Sequence, residues 1–427
     1  MAAAPNSTTP GVGRSPLLFI FLTVFIDLLG FGIVIPLLPI YSKAYHASDL
    51  QNGLLFASFS GMQFLFAPLW GRVSDRIGRK PVLVGGLLGT AGAYVLFANA
   101  EPLADFLGAN PMAMLFAARL LAGFFGANIS TAQAYIADVT TPANRAKGMG
   151  MIGAAFGLGF TLGPWIGGEL THVSVEAPGY AAAALSLCAA LFGWLRLVEP
   201  PRASGAASRV FGGAQLAAVW RTPRLSTLFL LSFLSIFAFS AFESTFARYG
   251  LARFPTWFGV DAAIENASFE QIMDAAPLTG RYLGVLGVIS ALIQGGLIRR
   301  LLPRYGETLL STVGLAVLGL GLAIVAFAPT FPVVILGCVV MPIGFGLNTP
   351  SLNGLISRAS PEEQQGAYLG LNQSVASVAR MCGPAFAGAA AQYVGVASPF
   401  WFAAAVLAVG ALIAWRYRAR FGATFAR

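Results

Sequence analysis

Four ionisable side chains interrupt stretches of sequence that are otherwise almost entirely apolar. Asp27 lies in PLLFIFLTVFIDLLGFGIVIPLLPI, Arg119 lies in LFAARLLAGFFGANISTAQAYIAD, and Glu243 and Arg380 lie in two further apolar segments. Inserting a charge into an apolar environment costs at least about 2.5 kcal/mol, so such residues are candidates for function. A carboxyl group shielded from water holds its proton more tightly, and a neighbouring arginine favours its release. This chemistry suits a proton that is loaded in one surrounding and released in another.

We predict that Asp27 is the main proton site and that Glu243 is a second proton site or a contact for a cationic substrate. An arginine stays protonated, so Arg119 cannot carry the proton, but it can act on a nearby acid and release it when helices rearrange. Two alternatives stay open. Arg119 could extend to the membrane interface, or the pairs Asp27–Arg119 and Glu243–Arg380 could only lock helices together.

The elements that must position these side chains are membrane-spanning helices. Of the 427 residues, 57% are hydrophobic and only 10% are charged, whereas a soluble protein has about a quarter of its residues charged. Apolar stretches of about twenty residues, enough to cross a bilayer, recur along the chain. The sequence predicts an all-α membrane protein with twelve spans, at 15–41, 50–72, 81–99, 111–138, 147–170, 178–197, 225–249, 279–300, 308–328, 331–358, 364–393 and 397–417.

The net charge of +9 comes from basic residues that are concentrated in the loops on one side of the predicted spans. With both termini on one side, 20 of the 26 lysine and arginine residues fall on that side. By the positive-inside rule the two termini are cytoplasmic, which makes nucleic-acid binding a poor explanation of the charge. The three cysteines all lie in apolar spans and imply no disulfide framework.

A long polar connection divides the chain into two halves that repeat each other. We predict an N-terminal six-helix bundle over 1–197, a cytoplasmic linker over 198–224 and a C-terminal six-helix bundle over 225–427. TTPANRAKGMGMIGAAFGLGFTLGPWIGG and ASPEEQQGAYLGLNQSVASVARMCGPAFAG occupy matching places in the halves, each with a proline, a glycine and a later Gly-Pro at similar spacing. Internal repeats are common in transporters, with the substrate site between them at the midplane.

The segment GRVSDRIGRKP between spans 2 and 3 carries a spacing that a plain basic loop does not explain. Gly71 permits a close backbone approach, and Gly78 supplies a turn of unusual φ. The acid and the cations could pair with helix ends and carboxylates at the membrane surface. The residues concerned are Gly71, Asp75, Arg76, Gly78, Arg79 and Lys80. The second half has a degenerate counterpart, GGLIRRLLPRYGE, which lacks the acid.

This spacing and position resemble the signature loop of the major facilitator superfamily, and span 1 resembles the opening helix of its tetracycline and multidrug exporters. The resemblance implies two pseudo-symmetric six-helix bundles with spans 1, 4, 7 and 10 lining a cavity. It also implies that the signature loop braces one conformation, partly through an acid at the end of span 4, which here is Asp138. Spans 3 and 9 lack the ionisable residues of tetracycline exporters, so the resemblance implies the general class and not tetracycline–metal export.

Two further spans carry patterns of this kind. In span 4, Arg119, Gly123, Gly126, Ser130 and Gln133 share one face, and the pattern resembles the family's span-4 arginine motif. Span 5 has glycines at a spacing that predicts a tight packing seam, with a bend at its proline. It resembles the antiporter motif of drug–proton exporters, whose residues here are Gly159, Gly163, Pro164, Gly167 and Gly168; a packing motif without directional meaning is the alternative.

Polar side chains among many phenylalanines predict an apolar cavity for a bulky amphiphile. We expect substrate contacts from Gln63, Asn128, Gln133, Asn348, Gln373 and Arg380.

Together these features predict a secondary transporter, a proton-coupled antiporter that exports small hydrophobic or amphiphilic compounds by alternating access. A proton-coupled nutrient symporter or a lysolipid-like amphiphile transporter is the alternative. No nucleotide-binding P-loop and no polar catalytic cluster occurs, so a pump or an enzyme is not expected. We expect no cofactor or metal apart from the proton as coupling ion, no partner besides substrate and lipid, and a monomer in the cell's inner membrane.

Overall fold

The helical structure follows the predicted spans closely. A computed structural model describes residues 15–140, 142–200, 219, 222–260, 267–361 and 364–421. Within these ranges the elements are all helical, and ten of the helices are long and apolar enough to cross a membrane. The fold is that of the twelve predicted spans in two pseudo-symmetric bundles of six. The predicted linker, 198–224, lies largely outside the described residues.

The N-terminal bundle contains the first six spans. Span 1 changes at Pro36 from an α-helix to a short 3-10 turn and back, since proline removes a backbone donor. Span 4 is broken in two beside Gly126 and Ala127. The helices of this bundle are Ser15–Val34, Leu38–Ala44, Asp49–Ile77, Arg79–Ala98, Pro111–Gly126, Ile129–Val139, Pro142–Leu170 and Ala177–Arg196, with the short surface helix Ala100–Leu107 between spans 3 and 4.

The C-terminal bundle contains spans 7 to 12. Spans 8 and 9 are joined without a loop, through a π-helical turn at Ile293–Leu297 and a sharp break at Gly306, where φ is +74°. The helices are Pro223–Arg253, Ala275–Leu292, Ile298–Ala326, Phe331–Ala359, Gln365–Tyr393 and Ser398–Phe421, with short turns at Pro255–Phe258 and Phe269–Met273.

The segment GRVSDRIGRKP is not the loop that its composition predicts. Span 2 continues as a helix to Ile77, and span 3 begins at Arg79. The whole change of direction takes place at Gly78, where φ is +112° and ψ is 157°. Only glycine adopts such a conformation readily, so the prediction of an unusual φ at Gly78 is confirmed, while the extent of the loop was overestimated.

The two bundles meet along two pairs of helices. Span 2 packs against span 11, and span 5 packs against span 8. The contact of span 2 with span 11 is close because Gly53 faces Gly388, with a Cβ atom at Gly53 only 3.1 Å from the Cα atom of Gly388. Gly168 and Gly280 meet in the same way between spans 5 and 8. Small residues allow such backbone contact between membrane helices.

Candidate functional site

A pocket in the N-terminal bundle brings together side chains from six spans. Spans 1 to 5 supply most of the lining, and span 11 of the other bundle supplies Arg380. Apolar groups, among them four aromatic rings, supply most of the wall surface, and polar side chains enter between them, as is usual in ligand pockets. The lining residues are Asp27, Leu28, Phe31, Phe59, Gln63, Thr90, Tyr94, Ala122, Gly126, Ile129, Phe160 and Arg380.

Asp27 faces this pocket and is partly exposed. The hydroxyl of Ser186 on span 6 donates a long hydrogen bond of 3.4 Å to its Oδ1 atom. Asp27 also interacts electrostatically with Tyr94 on span 3. Among the ion pairs of the described residues there is none between Asp27 and Arg119, so the locked pair suggested by the sequence is not formed in this conformation.

Arg119 is buried inside the bundle, with 2% of its surface exposed. Its guanidinium lies over the Phe59 ring at 4.4 Å and over the Phe31 ring at 5.6 Å. The Nε and Nη1 atoms are buried and have no hydrogen-bond partner among the described residues. A side chain that extended to the membrane interface would be exposed, so the structure does not agree with that alternative.

Glu243 and Arg380 come from neighbouring spans of the C-terminal bundle. Spans 7 and 11 are in contact here, since Ser240 donates a hydrogen bond of 3.4 Å to the carbonyl of Ala379. Glu243 interacts electrostatically with Arg380 and with Arg119, yet no ion pair within 4 Å joins it to either in the described part of the chain. Four separated charges therefore surround one region where the bundles meet.

The other predicted substrate contacts divide into two groups. Gln63 lines the pocket, where its amide also donates to the carbonyl of Gly126 at 3.0 Å. Asn348 does not line it, because it is fully buried and its amide is bonded to Ser311 and Ser235. Asn128 is likewise buried, packed against Gly86 of span 3.

Gln133 and Gln373 are partly exposed but do not belong to this pocket. Of the six predicted contacts, the structure thus brings only Gln63 and Arg380 to it.

The shared face of span 4 rests on span 2. A Cβ atom at Gly123 would lie 2.9 Å from the Cα atom of Phe59, and Gly126 lies against the ring of the same residue. Ser130 donates a hydrogen bond of 3.2 Å to the carbonyl of Ala67. This close approach is what places the Phe59 ring under the guanidinium of Arg119.

The glycines of span 5 form the packing seam expected from their spacing. Gly159 and Gly163 face span 1, where a Cβ atom at Gly163 would lie 2.5 Å from the Cα atom of Gly32. Gly167 faces the backbone of Ile33, also on span 1. Gly168 and the carbonyl of Pro164 meet span 8. Span 5 therefore ties the helix that carries Asp27 to the opposite bundle.

Arg79 holds the basic end of the N-terminal bundle together. Its guanidinium contacts Asp75 at 2.6 Å and Asp138, at the end of span 4, at 3.0 Å. The Nη1 atom also donates to Ser74 at 2.6 Å. The arginine and the acid that the family resemblance linked are therefore in direct contact, whereas Arg76 is exposed. Lys80 lies 5.3 Å from the centre of the Trp194 ring.

Glu199, which was not singled out from the sequence, completes this cluster. Its carboxylate accepts hydrogen bonds from the backbone N–H groups of Arg79 (2.6 Å) and Lys80 (2.8 Å), at the start of span 3. A Cβ atom at Gly78 would lie 2.8 Å from the same carboxylate, so a side chain there would have to displace Glu199 in addition to adopting a strained φ. Gly71, in contrast, has no neighbour within 4 Å of its Cβ position, so the expected close approach there is wrong.

We expect Glu199→Ala to destabilise the protein, because two backbone donors at a helix N-terminus would lose their partner. The loss is about 1 kcal/mol, as for other N-terminal caps. Thermal unfolding of the purified protein in detergent measures it. Glu176→Ala is the matched control, since Glu176 stands at the N-terminus of span 6 without a side-chain capping bond. An equal effect of both changes would contradict the capping role.

The second half carries a charge-reversed form of this arrangement. Gly306 makes the break before span 9, as Gly78 does before span 3. The next residue is Glu307, whose carboxylate contacts Arg358, at the end of span 10, at 3.3 Å. The pair Glu307–Arg358 thus corresponds in position to Arg79–Asp138 of the first half, with the acidic and basic residues exchanged.

At the opposite end of the molecule the two bundles are clamped together. Arg248 of span 7 is 7% exposed and contacts Asp49, at the start of span 2, at 3.1 Å. It also donates to the carbonyls of Ser48 (2.7 Å) and Ala47. A second ion pair between the bundles, at 2.6 Å, joins Arg281 to Glu169. The ion pairs at the basic end stay within one bundle, so in the described residues only this end is bridged by charge.

We expect Arg248→Gln to loosen the clamped end, because the neutral amide keeps few of these bonds. Ala47 is 5% exposed, so a cysteine at this position would be labelled slowly while the clamp is closed. In a protein whose native cysteines are replaced by serine, the rate at which a membrane-impermeant maleimide labels this cysteine reports the opening. Labelling should become several-fold faster. Arg253→Gln, an exposed arginine near the same end, is the control. Unchanged labelling in Arg248→Gln would contradict the clamp.

Two helical bundles bridged at one end, with a charged and aromatic pocket between their helices, define a polytopic membrane transporter. The Major Facilitator Superfamily matches residues 20–381 and 282–424. The chain belongs to the Major Facilitator Superfamily.

Similar proteins include two resistance proteins and a human organic anion transporter. The class C tetracycline resistance protein of Escherichia coli is 30% identical over 424 residues, covering 94% of this chain and 97% of that protein. Multidrug resistance protein 1 of Bacillus subtilis (strain 168) is 30% identical over 399 residues, with 92% and 94% covered. The crystal structure of the human organic anion transporter MFSD10 (TETRAN) has a TM-score of 0.70 at 26% identity, with 95% and 100% covered.

Proposed function

We propose that this chain is a proton-coupled exporter of small hydrophobic or amphiphilic compounds that works by alternating access. The observation that carries the proposal is a set of four charged side chains, none of them in an ion pair with another among the described residues: Asp27 and Arg380 line the pocket, Arg119 covers two of its aromatic rings, and Glu243 interacts with both arginines. Charges that are kept apart within a membrane are costly and mark ion or substrate pathways. The resistance functions named for two relatives support the direction of transport.

In this proposal the present conformation faces the cytoplasm. The clamped end carries Arg248 and Asp49 and is the predicted outer side, since the basic loops lie at the other end. Asp27 lies in the pocket and is the proposed proton site. Opening of the clamp would expose the pocket to the outside, where Asp27 is loaded with a proton. The Arg79 cluster already holds the basic end of the N-terminal bundle together in the present conformation.

Asp27 can exchange its proton without breaking a strong bond. Its hydrogen bond from Ser186 is 3.4 Å long, and no ion pair within the described residues holds it. We further propose that the protein is a monomer in a bacterial inner membrane with both termini in the cytoplasm. The proton is its coupling ion, and it needs no other cofactor and catalyses no reaction.

Inside-out membrane vesicles from cells with and without the protein test the direction and the coupling. The probes are pyrenebutyrate, pyrenebutanol and pyrenebutylamine, which share an aromatic body and differ in charge. An acid-inside pH gradient should drive protein-dependent accumulation of at least one probe, with alkalinisation of the lumen. Accumulation that is driven only by the opposite gradient would overturn antiport and favour the symporter. Accumulation that no gradient affects would overturn proton coupling.

A further inference from the structure

Arg119 has hydrogen-bond donors that no described residue satisfies. Its Nε and Nη1 atoms are buried without a partner, and its whole side chain is 2% exposed. The aromatic faces of Phe59 and Phe31 offset part of the cost of burying the charge. They do not satisfy directed N–H donors, and an unsatisfied buried charge is expensive. The site is therefore suited to an anionic group that comes from outside the protein.

The acids of the region leave these donors open. Asp27 accepts its hydrogen bond from Ser186 and is not paired with Arg119. Glu243 attracts both Arg119 and Arg380, but it forms no ion pair with either among the described residues. The Glu243 carboxylate thus interacts weakly with the two arginines and would compete with a bound anion for them.

Arg380 supplies a second cation beside the same aromatic wall. It lines the pocket together with Phe59, and the next residue of span 11, Met381, lies against Gly61 of span 2. The ring of Phe59 on span 2 is covered by Arg119 of span 4 and lines the same pocket as Arg380 of span 11. Phe31 extends the wall with flat apolar surface. Two guanidinium groups beside this aromatic wall suit a compound that has an apolar body and ends in an anion.

We propose that the transported compound carries a carboxylate, sulfonate or phosphate group, and that Arg119 and Arg380 bind this group in competition with Glu243. Guanidinium groups suit such anions because their N–H donors form paired, charge-assisted hydrogen bonds. This inference rests on the proposed function and makes it more specific. Asp27 then carries the exchanged proton. Glu243 releases Arg119 and Arg380 when the anionic compound binds to them.

Binding to the purified protein, measured by fluorescence anisotropy without any pH gradient, tests the inference separately from proton coupling. Wild-type protein should prefer pyrenebutyrate to pyrenebutanol by about tenfold or more, the size of one charge-assisted hydrogen bond. Arg380→Gln should remove most of this preference. Glu243→Gln should strengthen pyrenebutyrate binding. Arg418→Gln, which changes an exposed arginine of span 12, should leave the preference unaltered.

The variants act in opposite directions, so a general loss of folding cannot reproduce the expected pattern. An equal or greater affinity for pyrenebutanol or pyrenebutylamine would overturn the inference, as would weaker pyrenebutyrate binding in Glu243→Gln. Failure of gradient-driven transport with this binding pattern intact would overturn only the proposed function. Lysophosphatidate, added as competitor, separates the two sources of anion. If lysophosphatidate displaces bound pyrenebutyrate at a lower concentration than unlabelled competitor pyrenebutyrate does, the transported compound is a lipid. If it needs a higher concentration, the compound is a soluble anion. Both results support the inference.

Discussion

Asp27→Asn is expected to reduce gradient-driven transport in proteoliposomes to the level of protein-free liposomes. The substitution keeps the size of the side chain and its ability to accept from Ser186, but the amide cannot load and release a proton. Asp27 lies in the pocket on a helix that packs on spans 5 and 6, so a proton bound there can follow movements of the bundle. The measurement is flux of an established wild-type substrate under an imposed pH gradient.

Two variants make this result specific. Asp27→Glu keeps the acid and should retain part of the coupled transport, while Asp105→Asn removes an exposed acid of the surface helix and should change nothing. One-for-one exchange of labelled for unlabelled substrate, at equal concentrations on both sides and without a pH gradient, needs no net proton movement. Asp27→Asn should therefore retain this exchange. Undiminished gradient-driven uptake by Asp27→Asn would show that the proton is carried elsewhere.

Gly163→Ala is expected to destabilise the protein strongly, although it adds only one methyl group. The new Cβ atom would lie 2.5 Å from the backbone of Gly32, where rigid main chain cannot yield as a flexible side chain would. Spans 1 and 5 would have to separate, at a cost of about 1–3 kcal/mol for such overpacking. Since span 5 also contacts span 8, the separation would disturb both Asp27 and the interface between the bundles.

The same helix offers a control for this prediction. Gly157 has no atom within 4 Å of its Cβ position, so Gly157→Ala adds the same methyl group to open space and removes a flexible residue from a helix. The thermal unfolding temperature in detergent should fall for Gly163→Ala and stay equal or rise for Gly157→Ala. Transport should follow the same order. If the two variants behave alike, the seam is not tightly packed in the functioning protein.

The glycines of one sequence motif differ in their structural roles. Gly71 and Gly78 stand in the same segment, yet only Gly78 has positive φ and a carboxylate at its Cβ position. The spacing of a motif reveals that a glycine is present, but the need for it depends on atoms far away in the chain. Glu199, whose carboxylate lies against Gly78, follows span 6 and carries no local signal of its function.

The all-helical membrane fold and its spans could be predicted from the sequence because they depend on local properties. A helix satisfies its own backbone bonds in a membrane, so length and hydropathy define the spans, and basic residues mark one side. The same holds for the isolated charges Asp27, Arg119, Glu243 and Arg380, since a charge in an apolar helix is visible without knowledge of its neighbours.

The partners of these charges depended on how helices distant in sequence pack together. Asp27 lies with Ser186 and not with Arg119, and Arg119 lies over two phenylalanine rings because Gly123 lets span 4 approach span 2. The clamp at Arg248 likewise joins segments two hundred residues apart. Sequence alone therefore determined which charges enter the membrane. Only the tertiary structure decided which of them are satisfied, because satisfaction requires contacts that no local pattern specifies.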